Sequence, residues 1–98
     1  MESITTLRIR EPKPYWSEGD EDWFFKWLEG IPSVISVTRK DGLNITLKAE
    51  VDDFSLRELI GLFTRYEIQM SGLQCFCTTS NQNWFRNTEM FWYQSIFE

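Results

Sequence analysis

The chain contains no histidine. That removes the side chain most used for acid–base work near neutral pH, and with it any Ser-His or Cys-His nucleophile pair. Only two cysteines are present, Cys75 and Cys77, and a two-thiolate metal site would need further ligands. On a strand, neighbours two apart on one face are separated by roughly 7 Å, near the outer limit of disulfide geometry. Reduced thiols are expected. The five glycines are scattered singly, which excludes a phosphate-cradling loop. Lys and Arg form no cluster and the formal net charge is −5, so direct binding to nucleic-acid phosphates or to anionic lipid is not expected. No apolar run approaches the ~20 residues that span a bilayer, and residues 1–10 hold no apolar stretch of a secretory signal. The expected compartment is the cytoplasm, with no cofactor and no metal.

What is abundant is aromatic and β-branched. At 98 residues the chain makes a single domain, 1–98, burying roughly 65% of its unfolded surface. Five Trp, eight Phe and three Tyr are more rings than so small an interior holds, so some are expected at the surface. Residues 34–51 organise the rest. Leu43, Ile45, Leu47, Ala49 and Val51 alternate with Asn44, Thr46, Lys48 and Glu50, the pattern of a half-buried strand. Residues 34–39 are rich in β-branched side chains and pair with it across Lys40-Asp41-Gly42. A two-residue Asp41-Gly42 turn would put Ile35 and Val37 on the polar face of their partner. A three-residue loop with left-handed Gly42 sets Val37 against Ile45 and Ile35 against Leu47, giving one apolar face. The second register is the expected one.

Residues 4–10 read as a first strand with Leu7 and Ile9 inward, stopped by Pro12 and Pro14. Phe24, Trp27, Leu28 and Ile31 share a helical face; Asp20 is the expected N-cap, and Gly30 and Pro32 end the helix. Phe25 lies off that face and Trp23 sits at its edge. In a second helix Leu56, Leu59, Ile60 and Phe63 form the buried stripe. Ser55 and Glu58 have capping-box spacing, and Phe54 with Leu59 fits a hydrophobic staple. Gly61, inside that helix, suggests close packing. Residues 73–79 read as a last strand. Asn81 or Asn83 suits the start of a short helix holding Trp84 and Phe85, while residues 91–97 fit a helical turn or a strand. The order strand, helix, hairpin, helix, strand predicts an α+β, ferredoxin-like split β-α-β-β-α-β sheet. Both helices lie on one face, and an aromatic C-terminal extension packs over an edge or the free face.

Candidate chemistry is sparse. The carboxylate pairs Asp20/Asp22 and Asp52/Asp53 sit where helix starts call for acids, so capping explains them better than catalysis does. The segment YWSEGDEDW, residues 15–23, is different in kind: Trp16, Glu18, Asp20, Glu21 and Asp22 combine flat rings with carboxylates. Rings anchor interfaces and carboxylates steer cationic partners. A solvated helix start explains the acids equally well. Asp52 and Asp53 are weaker candidates for the same surface.

Several stretches together resemble a family of bacterial immunity proteins from contact-dependent inhibition and other polymorphic toxin systems. They are Lys13-Pro14-Tyr15-Trp16 before an acidic loop, Trp23-Phe24-Phe25-Lys26-Trp27-Leu28 running into Ile31-Pro32, and Leu59-Ile60-Gly61-Leu62-Phe63-Thr64-Arg65-Tyr66 with Ile68, Met70 and Leu73 behind it. Asn83-Trp84-Phe85 and Phe91-Trp92-Tyr93 through Phe97 complete the set. The resemblance implies a cytoplasmic, non-enzymatic inhibitor that binds and blocks one cognate toxin, often a cationic nuclease. It transfers no toxin contact to any residue here. It also leaves the oligomeric state open, with a monomer expected. A second reading, of another class, is a small-ligand-binding regulatory or sensor domain with the aromatic tail as pocket wall.

Overall fold

The hairpin closes where Gly42 permits it. In the computed structural model, which describes residues 3–98, Asp41 and Gly42 have φ of 55° and 105°. A Cβ on Gly42 would lie 2.7 Å from the Ile9 carbonyl oxygen, so both backbone angle and space demand glycine there. The loop is the expected three-residue one: Arg39 faces Leu43, and Val37 faces Ile45. Arg8 reinforces it from the next strand, donating from Nε and Nη2 to the Asp41 carbonyl at 3.2 and 3.0 Å.

One part of the register differs. Val34, not Ile35, faces Leu47, because a bulge between Val34 and Ser36 leaves Ile35 unpaired and exposed. The extra residue turns Ile35 out while Val34 and Val37 still pack toward the core.

Strands β1 (Ile4–Ile9), β2 (Val34–Arg39) and β3 (Leu43–Lys48) form an antiparallel sheet in the order β1-β3-β2. Leu43, Ile45 and Leu47 are fully buried on one face, sharing a core with Phe24 and Leu28 of helix α1 (Glu18–Gly30). Leu56, Leu59, Ile60, Leu62 and Phe63 of helix α2 (Asp53–Arg65) complete it. Each such side chain contributes about 1.5–3 kcal/mol through burial. The opposite face carries Thr6, Arg8, Ser36, Thr38 and Lys48, all exposed.

Helix α2 starts one turn earlier than its capping-box spacing predicts. Asp52 is the N-cap and accepts from the Ser55 N–H at 2.6 Å. Ser55 is instead buried, and its Oγ accepts the Ser33 N–H at 3.1 Å, pinning the α1–β2 connection to α2. With the start displaced, Phe54 does not staple; it stands 61% exposed. Gly61 is not forced by close packing either. A Cβ there would meet Trp27 Cζ2 at 3.7 Å, an ordinary contact.

The expected strand over residues 73–79 is absent. Residues Ser71–Phe76 form a 3-10 helix, so the sheet has three strands and the β-α-β-β-α-β order lacks its sixth element. Leu73 and Phe76 fit the change: three apart, they eclipse in a 3-10 helix and are buried together, whereas on a strand they would point to opposite faces. Cys75 and Cys77 are free, Cys75 exposed and Cys77 half-buried. Asn81 fixes the exit, accepting from the Thr78 N–H at 2.8 Å and donating to the Phe76 carbonyl at 2.9 Å. Helices α3 (Gln82–Phe85) and α4 (Tyr93–Phe97) follow, and Trp92 Nε1 donates to the Phe85 carbonyl at 2.7 Å. Arg57 of α2 stacks on Trp84 at 3.9 Å, so the aromatic tail packs beside α2, leaving the free sheet face open.

Candidate docking surface on the outer helical layer

Ser17, not Asp20, caps α1: its Oγ accepts from the Asp20 N–H at 3.1 Å. The serine precedes three acids in the first turn, so the helix gains both a cap and favourable dipole charges from the earlier start. Asp20 is thereby freed to bridge. Its Oδ2 accepts from the Trp16 N–H at 2.9 Å and its Oδ1 from the Tyr66 hydroxyl at 3.1 Å. Burial and this carboxylate together push the Tyr66 phenol above its ordinary pKa. Tyr66 also packs edge-on against Phe24, centroids 4.8 Å apart, so the end of α2 is locked to the start of α1.

Glu21 is similarly occupied. Arg39 Nη2 reaches Glu21 at 3.1 Å and also pairs with Glu11, while its guanidinium lies 4.2 Å from the Phe25 ring centroid. The Tyr15 hydroxyl donates to Glu11 at 3.0 Å. Burial alone would raise the Glu11 pKa, but the Arg39 and Tyr15 hydrogen bonds outweigh it and hold the carboxyl below its usual range. Burial and Glu11 drive the Tyr15 phenol well upward. A depressed carboxyl stabilises the fold above its unfolded pKa of about 4.3, and that contribution is lost as pH falls through the lower folded value. The raised phenols act at the other limb: stability falls once pH passes about 10, where only unfolded tyrosines ionise. Thermal melts are therefore expected to change little between about pH 5 and 9 and to fall outside that window. Glu11→Gln, costing about 1 kcal/mol at neutral pH, should flatten part of the acid limb, and Tyr66→Phe part of the alkaline one.

Of the acids and rings singled out in the sequence, then, Asp20, Glu21 and Asp52 are used inside the molecule. Trp16 is 95% exposed, and Glu18, Asp22 and Asp53 also face solvent. They do not form one patch. The Asp20–Tyr66 and Ser33–Ser55 bonds set α1 and α2 antiparallel, which places Asp53 roughly 16 Å along the helix axis from the level of Asp22.

Between those ends lies a feature the sequence reading underrated. Trp23 (58% exposed), Trp27, Ile31 and Phe54 line an open groove of about 440 Å³ across α1 and α2, with Lys26 and Glu58 at its margin. Trp27 Nε1 donates to Glu58 Oε1 at 3.3 Å, which holds the indole as the groove's fixed wall. Lys26 Nζ stands 5.9 Å over the Trp23 ring. The available signal was positional. Trp23 sits at the edge of the α1 stripe, and Phe54 precedes the α2 stripe altogether, so neither ring had a core position to fill. An apolar groove with Lys26 and Glu58 in its lining, and with the exposed carboxylates Asp22 and Asp53 next in sequence to two of its rings, can hold an amphipathic protein segment.

Among the described residues no group of His, Cys, Asp and Glu is placed to hold a metal ion, and no helix is long and apolar enough to cross a membrane. Fold and surface together define a small α+β scaffold carrying an acidic, aromatic face. The chain matches no protein-family model, no curated protein and no solved structure.

Proposed function

We propose that the protein is an immunity protein that binds a cognate bacterial toxin in the cytoplasm and neutralises it stoichiometrically, without turnover or cofactor. The observation that carries this reading is the exposed Trp23–Trp27–Phe54 groove, two of whose rings are preceded in the chain by the solvent-facing carboxylates Asp22 and Asp53. Exposed rings of this kind supply binding energy, and flanking carboxylates complement the basic surface of a nuclease. We read the scaffold as a ferredoxin-like unit that has exchanged its last strand for a 3-10 helix and aromatic tail.

Inspection of the neighbouring genes for a toxin domain, and co-expression with any such domain, tests the proposal. A one-to-one complex that abolishes toxicity is the expected result. Affinity should fall as salt rises from about 50 to 500 mM, chiefly through the on-rate. A toxin left fully active by equimolar protein would overturn it. Tryptophan fluorescence against a metabolite panel separates the sensor reading, because a small ligand in this groove would report through Trp23 and Trp27.

A further inference from the structure

The missing fourth strand leaves a consequence at the other side of the sheet. Strand β1 is an edge, and the Ala49 N–H bonded to the Ser3 carbonyl at 3.1 Å sets its phase. Thr5, Leu7 and Ile9 therefore exchange bonds with β3, and the N–H and C=O groups of Ile4, Thr6 and Arg8 point outward. Among the described residues none of those outward groups has a hydrogen-bond partner. The two edges are not alike. Edge β2 is interrupted by its bulge at Ile35, whereas β1 pairs without interruption from Ile4 to Ile9. A bulge discourages strand addition; an unbroken edge invites it.

Beside the far half of β1 runs a groove of about 940 Å³, bounded by residues 7–16 on one side and by residues 65–72 on the other. Its charge is opposite to that of the helical face. Arg10, Lys13 and Arg65 are exposed in it, and among the described residues none has an ion-pair partner. Of the acids in its walls, Glu11 is held by Arg39 and Tyr15, and Asp20 by Trp16 and Tyr66; only Glu67 remains to oppose them. A chain of net charge −5 thus carries a cationic groove beside its one unbroken free edge.

We infer that β1 is a strand-addition site, taking an extended, acidic polypeptide segment of a partner protein in the place the fourth strand would occupy. Alternating outward donors and acceptors fit an extended peptide backbone, which returns both. A nucleic acid would meet the cations but supply few donors to the carbonyls. The inference goes beyond the proposed immunity function and holds for this edge whatever occupies the helical groove.

The probe is a blocked octapeptide of alternating Glu and Val, titrated into the isotope-labelled full chain and followed by amide shifts and hydrogen exchange. Shifts at Thr6, Arg8, Arg10 and Lys13 are expected, with exchange at the Thr6 and Arg8 amides slowed at least about tenfold. Thr6→Pro removes an outward donor without touching the β1–β3 ladder, and should weaken binding at least about tenfold. Should that variant not fold, Arg10→Glu with Lys13→Glu reads the same site through charge. Equal binding of a blocked octapeptide of alternating Lys and Val would overturn the inference, as would shifts confined to Trp23 and Phe54. So would displacement of the peptide by octauridylate, or β1 amides already protected in a dimer seen by sedimentation.

Discussion

Phe24→Ala is expected to cost about 3–5 kcal/mol, while Trp23→Ala, one residue away, should change stability by less than about 0.5 kcal/mol. The contrast follows from which way each ring points. Phe24 is fully buried and touches Tyr15, Phe25 and Tyr66, with centroids 5.9, 5.1 and 4.8 Å away. Removing it opens a cavity and also unseats the Tyr15 and Tyr66 rings, whose hydroxyls bond to Glu11 and Asp20. Against a total stability of about 5–15 kcal/mol for a typical domain, that loss is severe, and the melting temperature should fall by at least about 12 °C. Urea titration of the two variants, with near-ultraviolet dichroism for the aromatic cluster, measures it. Similar losses for both would mean that Trp23 is not the exposed ring that it is in this fold.

On the proposed immunity function, Trp23→Asp combined with Phe54→Asp should abolish protection of cells expressing a cognate toxin and weaken the complex by at least about 100-fold. Both rings are more than half exposed, so the double variant is expected to melt within a few degrees of the unaltered protein. Charge placement sharpens the reading. Asp22→Lys and Asp53→Lys should act mainly on the association rate, whereas the ring substitutions should act mainly on dissociation. Growth assays and surface-binding kinetics separate the two. Full protection by the Trp23/Phe54 double variant would remove the groove as the docking surface.

Local chemistry was legible wherever one residue type had one solution. Gly42 marked the hairpin loop because only glycine tolerates both its backbone angle and the nearby Ile9 carbonyl. The spacing of Leu56, Leu59, Ile60 and Phe63 marked α2, and alternation from Leu43 to Leu47 marked the central strand. Helix starts were legible only in part. Ser17, Asp20, Asp52 and Ser55 can all cap, and the neighbours they meet decided which of them do.

The sequence by itself determined the hairpin, the two amphipathic helices and the surplus of rings over interior space, since each depends on contacts between near neighbours in the chain. Tertiary structure decided that residues 73–79 coil instead of pairing with β1, and that Asp20 and Glu21 turn inward to Tyr66 and Arg39. It also gathered Trp23 and Phe54, far apart in the chain, into one groove. The physical reason is common to all three. A short apolar run with Leu73 and Phe76 satisfies strand and 3-10 periodicity alike, and an exposed acid differs from a paired one only through partners that folding brings near.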